Sequence, residues 1–280
     1  MGLRINTNIA SINAQRNLRQ TRYDLEKSLE KLSSGSRINR AGDDAAGLAI
    51  SEHLRAQIRG LKQAERNAQD GVSLIQVAEG GLSEISNIMI RLRELAVQAA
   101  SDTVGSTERK FLNVEFEQLL EEVDRISNST EFNKIPLING TGAVFDIQVG
   151  TGNDPTIDRI TFDASAADVN IAALGVNLAS VSDKASAQNA LGALDSAIIS
   201  VSAIRADFGA MQNRVQSTIN NVAVSIENLS SANSRIRDTD IASETAELVR
   251  NNILMQSGTA VLSQATNSAS TALQLLKSVG

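Results

Sequence analysis

Apolar residues recur at every seventh position over long stretches of this 280-residue chain. Residues that are seven apart lie on one stripe of an α-helix, so these rows indicate helices that pack side by side. The longest stretch, from Asp44 to Ala100, would form a helix of roughly 85 Å at about 1.5 Å per residue. One compact domain cannot enclose a helix of that length. The rows therefore predict a mainly α fold: a long antiparallel helical rod, or coiled-coil-like bundle, built by helices from both halves of the chain. An ordinary coiled coil is the alternative.

Three segments supply the rows of this predicted rod, which we place at residues 44–236. One row runs through residues 54–96, a second through 112–126, and a third through 194–236. The sequence Asp-Thr-Asp at 238–240 then interrupts the pattern, and a fourth row begins in a new register. Within the rod we expect the following side chains to pack between helices: Leu54, Leu61, Ile75, Leu82, Met89, Leu112, Phe116, Leu119, Val123, Leu194, Val201, Phe208, Val215, Val222, Leu229 and Ile236.

The centre of the chain differs from its flanks. Pro136 and Pro155 are the only prolines, and turn-forming pairs such as Asn139-Gly140 lie near them. Between the turns, residues 143–149 and 156–162 alternate apolar and polar side chains, as strands do. We predict a small β-hairpin with loops within about residues 132–185.

Both ends carry a thin apolar stripe, and their charges are of opposite sign. Residues 1–40 have eight basic and three acidic side chains, whereas residues 238–280 have two basic and four acidic ones. An isolated helix with a narrow stripe gains little by folding alone. We therefore expect two arms, 1–43 and 237–280, to order against each other and against other copies. Their stripes are Ile5, Ile9, Ile12, Leu18, Leu25, Leu29 and Leu32 at the front, and Ile241, Leu248, Met255, Leu262 and Leu276 at the back.

The composition leaves few residues for catalysis. The chain has no cysteine, which excludes disulfides and zinc–thiolate sites, and its single histidine has no second histidine with which to bind a metal. We interpret this residue, His53, as a surface or interface side chain. Asp43 and Asp44 could form an acid/base pair or a metal site, but no second ligand cluster accompanies them. Capping the start of a helix is the favoured role. The sequence thus predicts no catalytic, cofactor or metal site.

Charge and hydropathy argue against nucleic-acid and membrane partners. The net charge is −6, and the basic front end offers only Tyr23 for base stacking. Residues 251–276 hold no charge but are too rich in Asn, Gln, Ser and Thr to cross lipid. They fit a helix surrounded by other protein, or else the end of a soluble helix. The N-terminus lacks the apolar stretch of a cleaved signal peptide.

Several motifs resemble bacterial flagellin. They cover roughly residues 1–138 and 190–280 and include INTNIASIN at 5–13, LEKLSSGSRINRAGDDAAGLAI at 29–50 and RELAVQ at 93–98. Towards the C-terminus they include GAMQNR at 209–214, ENL at 227–229 and SRIRDTDIA at 234–242. Only residues 139–189 lie between the two regions. The resemblance therefore implies a short form that lacks the large variable outer domains of many flagellins.

The resemblance also implies a function. Flagellins are structural subunits that leave the cell through the flagellar type III apparatus and polymerise into the extracellular filament used for motility. Expected partners are other copies of the chain, a flagellar export chaperone, and the hook-associated junction and cap proteins. A hook–filament junction protein is the alternative, because junction proteins have similar termini. An enzyme is the third alternative, and the absence of a catalytic constellation argues against it.

A host Toll-like receptor is a further partner that the resemblance implies. The run at 91–98 matches the form that the receptor recognises at Arg91 and Leu95, and counting back from residues 122–125 adds Glu115. Arg91 and Glu115 fall outside the main apolar rows, so a solvated helix face is their alternative role. Leu95 adjoins the row, and plain core packing is its alternative role.

Overall fold

The computed structural model describes the backbone of residues 7–278 and the side chains of residues 7–267. Five helices account for most of it: α1 (Ile9–Ser34), α2 (Ala45–Ala100), α3 (Ser106–Ser129), α4 (Lys184–Arg237) and α5 (Ile241–Ser278). Between α3 and α4 lie β1 (Glu131–Phe132), β2 (Ile135–Pro136), β3 (Val144–Gln148), β4 (Arg159–Asp163) and a short 3-10 helix (Ala164–Ala166). The predicted mainly α fold with a central β-hairpin is confirmed.

Four of the five helices begin where a short polar side chain accepts a hydrogen bond from a free backbone N–H group; α3 begins after Gly105 without such a cap. Asn8 accepts from the N–H of Ser11 at the start of α1, and Asp44 accepts from that of Gly47 at the start of α2. Asp183 and Asp240 cap α4 and α5 in the same way. At the other end of α1, Gly35 adopts the left-handed conformation that ends many helices, with φ of +69°.

The chain forms two compact units. The terminal unit contains the described residues up to Ala56 and from Asn228 onward, and the central unit contains Gln57–Glu227. The boundaries predicted for the arms, at 43 and 237, fall at the breaks between α1 and α2 and between α4 and α5. The terminal unit is longer than these arms, because it also includes the start of α2 and the end of α4.

In the central unit, α3 and α4 each run antiparallel to α2. Arg93, near the end of α2, forms an ion pair with Asp195, near the start of α4. The guanidinium of Arg109, at the start of α3, donates to the carbonyl oxygen of Ala99 at the end of α2. Aliphatic side chains fill the core, and the ring of Phe162 on β4 lies 5.1 Å from that of Phe208 on α4. Burial of these side chains is the main stabilising contribution to the unit.

The structure places none of the predicted rod residues at an exposed position. Ten are buried: Ile75, Leu82, Met89, Phe116, Val123, Leu194, Val201, Phe208, Val215 and Val222. The other six are half-buried: Leu54, Leu61, Leu112, Leu119, Leu229 and Ile236.

Two hairpins occupy the middle of the chain. The predicted one pairs β3 with β4 in antiparallel register, Phe145 opposite Phe162. Its second strand begins at Arg159 rather than at 156, because the carboxylate of Asp158 accepts from the N–H groups of Gly152 and Asp154 and holds that segment in a loop.

Sequence analysis did not predict the β1–β2 hairpin. Asn133 and Lys134 form its two-residue turn and both have positive φ, 51° and 64°. This is the geometry of the tight turns that join short antiparallel strands. In the sequence, Asn133 was the one indication of this turn, because asparagine tolerates positive φ.

Candidate assembly surface

The two connectors of the terminal unit, between α1 and α2 and between α4 and α5, pair with each other. The N–H of Arg37 donates to the carbonyl oxygen of Arg237 at 2.6 Å, and the N–H of Thr239 donates to that of Gly35 at 3.0 Å. Ser36 and Asp238 face each other in this antiparallel bridge. The two arms are therefore joined to each other at this bridge.

Ion pairs hold the connector residues in place. Asp43 lies 2.9 Å from Lys27 of α1, and its other oxygen accepts from the N–H groups of Asn39 and Arg40. These hydrogen bonds, chiefly the one from Lys27, lower the pKa of Asp43 to about 2. Lys31 pairs with Glu244 across α1 and α5 at 3.1 Å. The capping role predicted for Asp43 is therefore wrong, because its carboxylate accepts from connector N–H groups that precede it. Asp44 is the cap of α2, as predicted.

Helices α1 and α5 pack against each other along a shared line, which we call the seam. Its large half-buried apolar side chains were all predicted as arm residues: Leu18, Leu25 and Leu32 on α1, and Leu248, Met255 and Leu262 on α5. Leu18 meets α5 at Gly258, where an added Cβ would lie 2.9 Å from a leucine methyl carbon. The seam is narrow, because large apolar residues occur on it only at every seventh position.

Four other predicted arm residues lie off the seam and are at least half exposed: Ile9, Ile12, Leu29 and Ile241. Ile5 lies outside the described residues, and so does the side chain of Leu276. The pairing of α1 with α5 therefore leaves much of the predicted apolar stripe uncovered.

Further exposed apolar side chains of α5 lie outside the predicted arm residues. Val249, Ile253, Leu254 and Val261 are all at least half exposed. Their signal was present in the sequence, since 253–255 is a run of three apolar residues and Leu254 and Val261 are seven apart. These positions lie outside the heptad row of Ile241, Leu248, Met255 and Leu262. We call Val249, Ile253, Leu254 and Val261, together with Ile9, Ile12, Leu29 and Ile241, the outer apolar face.

Comparison with known families places both ends of the chain. The family described as "Bacterial flagellin N-terminal helical region" matches residues 5–143, and "Bacterial flagellin C-terminal helical region" matches residues 191–276.

The chain belongs to the flagellin family.

Curated flagellins match it over nearly their whole length. "Flagellin" of Halalkalibacterium halodurans is 46% identical over 98% of this chain and 99% of that protein. "Flagellar filament 33 kDa core protein" of Treponema phagedenis is 43% identical over 98% of this chain and 99% of that protein.

Solved structures share the fold. A crystal structure of Bacillus cereus flagellin matches with a TM-score of 0.51 and 34% identity, over 60% of this chain and 94% of that one. A putative flagellar hook-associated protein from Vibrio parahaemolyticus has a TM-score of 0.56 at 14% identity, over 70% of this chain and 100% of that one. At that identity the second match shows a common fold alone.

Two of the three residues predicted for receptor recognition meet on the flagellin surface. The guanidinium of Arg91 lies 2.8 Å from Glu115 and 3.0 Å from Glu94, and the side chains of all three are exposed. These hydrogen bonds, first the one that Arg91 donates to Glu115, raise the pKa of Arg91. Leu95 was wrongly predicted as a contact residue. It is fully buried in the core of the central unit, because its position on α2 faces the interior together with Leu92.

The described residues include no group of three or more His, Asp or Glu side chains that could hold a metal ion. His53 is exposed. Within residues 7–278, no helix is long and apolar enough to cross a membrane.

Proposed function

We propose that this chain is a structural subunit that polymerises into the bacterial flagellar filament through its terminal unit. The observation that carries the proposal is the outer apolar face of α1 and α5. Exposed apolar groups that cluster on one part of a protein mark a surface that binds another protein. In a flagellin, the partner that fits is a second copy of the same chain.

The narrow seam supports the same proposal. A pair of helices joined by one large apolar side chain per two turns is only weakly stabilised by its own packing. Binding to further copies covers the outer apolar face and adds free energy that favours the helical state. We therefore expect both arms to be protease-sensitive in the dilute monomer and protected in the polymer, while the central unit resists in both.

Electron microscopy of the purified protein under polymerising conditions tests the proposal, and long filaments are the expected result. A double change on the outer apolar face, Ile253→Ser with Leu254→Ser, should abolish filaments while the melting of the central unit is unchanged. Ile199→Ser is the control, because Ile199 is also an exposed isoleucine but lies on α4 of the central unit. Failure of the wild-type chain to polymerise would refute the proposed function.

The same micrographs address the alternative of a hook–filament junction protein, which should form no long filaments. The relatives favour the filament subunit, because their flagellin matches extend over nearly the whole chain. A catalytic role is not part of the proposal, since the flagellin family is structural.

Export follows from the same assignment. We propose that the chain reaches the extracellular filament through the flagellar type III apparatus without a cleaved signal peptide. Before export, a flagellar chaperone would cover α5, whose apolar residues lie on more sides than α1 covers. An amphipathic helix in a groove is the expected binding mode. Val249→Ser with Ile253→Ser should weaken capture of the chain by the chaperone in a pull-down assay, and Ile199→Ser should leave it unchanged.

In the assembled organelle, the hook-associated junction and cap proteins would contact the first and last subunits. They would use the same terminal unit, because it is the part that leaves apolar side chains for a neighbour.

Recognition by a host Toll-like receptor is a separate proposal, which now rests on Arg91 and Glu115. Their ion pair joins α2 to α3 on the surface, and arginine is common among the residues that dominate binding energy. Purified monomer should trigger receptor signalling, and Arg91→Ala with Glu115→Ala should reduce it. Arg93→Ala is the control, since Arg93 is another exposed, ion-paired arginine on the same helix. Silence of the wild-type monomer would exclude the receptor.

A further inference from the structure

The seam residues of α1 and α5 follow a strict heptad pattern in which large and small side chains alternate. On α1 the large residues Leu18, Leu25 and Leu32 are separated by Thr21 and Ser28. On α5 the large residues are Leu248, Met255 and Leu262, and Asn251 and Gly258 separate them. All of these positions are buried or half-buried, in steps of three and four residues, as in the core of a two-stranded coiled coil.

Three contacts fix the register of the two helices. Asn8 donates to the carbonyl oxygen of Ala265 at 2.9 Å, Leu18 meets Gly258, and Lys31 pairs with Glu244 at 3.1 Å. From one contact to the next, the residue number on α1 rises while the residue number on α5 falls by a similar amount. The helices are therefore antiparallel and hold one continuous register over the described part of the seam.

In this register each large residue faces a small or polar one. The observed contact places Leu18 against Gly258, and counting from it along both helices puts Leu25 opposite Asn251 and Leu262 opposite Ala14. Thr21 and Ser28 then face Met255 and Leu248. Side chains of complementary size interdigitate without voids, which is the condition for close helix packing.

We propose that this alternation of size is the device that sets the register of the two flagellin arms, and that Gly258 is its decisive residue. A slip of half a heptad would bring leucine against leucine and leave small residues facing each other across voids. A slip of a whole heptad would preserve the alternation of sizes. It would instead separate Lys31 from Glu244 and move Leu18 from glycine, which has no side chain, onto asparagine or alanine.

The register matters for assembly, and this part of the inference rests on the proposed function. A shift of α5 along α1 would displace Val249, Ile253, Leu254 and Val261 relative to Ile9, Ile12 and Leu29. The outer apolar face would then no longer match that of a neighbouring copy. Gly258 is thus a specificity-determining residue, which acts through the seam and not by touching the neighbour.

The first test exchanges the sizes within one layer. Gly258→Leu places leucine against Leu18, and it should raise the critical concentration for polymerisation by about tenfold or more. Adding Leu18→Ala restores one large and one small residue, and it should return the value to within about twofold of wild type. Ala260→Leu, at an exposed position on the same helix, adds the same bulk away from the seam, and Leu18→Ala should not rescue any defect that it causes.

A second measurement reports the register without relying on polymerisation. The chain has no cysteine, so Ala14→Cys with Leu262→Cys creates a unique pair within one layer. A short thiol-reactive cross-linker should join this pair, and it should join Ala14→Cys with Met255→Cys, one heptad away, at least about tenfold more slowly. Introducing Gly258→Leu should reduce this preference.

The outcomes separate the two proposals. If wild-type protein fails to polymerise but shows the expected cross-linking preference, the proposed function falls and the register device stands. If Gly258→Leu polymerises as wild type does, or if Leu18→Ala fails to rescue it, the register device is refuted. Equal cross-linking of the two cysteine pairs would also refute it.

Discussion

The Nζ atom of Lys27 lies 2.9 Å from Oδ1 of Asp43, and this contact ties the third turn before the end of α1 to the connector that follows it. The same carboxylate accepts two backbone hydrogen bonds from the connector, so a single residue joins the helix to the turn. The same connector contains Ser36, which forms the bridge with Asp238.

This relationship predicts an acid-sensitive terminal unit. The pKa of Asp43 falls from an ordinary value of 3.8 to about 2 in the folded chain. Its contribution to stability is therefore present above about pH 4 and is lost as the pH falls through 2. We expect that contribution to be about 1 kcal/mol, because water screens an ion pair whose lysine is 38% exposed.

Asp43→Asn should remove this part of the acid dependence while it keeps an oxygen that accepts the two backbone hydrogen bonds. Helix content measured by circular dichroism between pH 4 and 2 provides the comparison. A variant that loses helix over this range as steeply as wild type would contradict the assignment to Asp43.

Phe208 contributes to the stability of the central unit. It is 6% exposed and its ring contacts that of Phe162 at 5.1 Å, so it joins α4 to the β3–β4 hairpin. Phe208→Ala should reduce the free energy of unfolding by roughly 2–5 kcal/mol, through lost burial and the cavity left behind. Chemical denaturation measures the change. Ile199→Ala on the same helix should have little effect, because that side chain is 70% exposed.

Gly71 lies on α2 where the β3–β4 hairpin packs against that helix. A Cβ at this position would lie 2.5 Å from the Cδ1 methyl group of Ile147 on β3. Gly71→Ala should gain about 1 kcal/mol of helix propensity but must displace that methyl group. We expect Ile147→Val, which removes it, to make the alanine substitution more favourable than it is in the wild-type background. A thermal double-mutant cycle measures the coupling, and simple additivity would show that the hairpin does not rest on Gly71.

Asp240 stabilises the start of α5. Its carboxylate accepts from the N–H groups of Ala242 and Ser243 at 2.9 and 3.2 Å, which satisfies the free donors at the start of the helix. Asp240→Ala should cost about 1 kcal/mol of helix stability, seen as faster proteolysis of the C-terminal arm. Asp238→Ala, two residues earlier in the same connector, is the control. Equal proteolysis rates in the two variants would remove the capping role.

The sequence by itself determined that long helices dominate the chain, and it determined some of their limits. The extent of α2, the break at 238–240 and the capping role of Asp44 all follow from interactions within one or two helical turns, which are local in sequence. The sequence motifs also identified the flagellin family. The β1–β2 hairpin escaped prediction, because its two-residue turn depends on the backbone conformations of Asn133 and Lys134.

Only the tertiary structure decided which of the apolar residues are covered. Leu95 and Ile90 are both apolar residues of α2, yet Leu95 is fully buried and Ile90 is 48% exposed, because neighbouring helices cover only one side of α2. Likewise, Leu262 lies in the seam whereas Val261 is exposed. Burial of this kind depends on where a distant segment of the chain packs, and heptad spacing within a single helix does not specify that partner. The pairing of Leu18 with Gly258 shows the same dependence. Either residue can occupy its position in its own helix. Their complementary sizes affect packing only where α1 lies against α5.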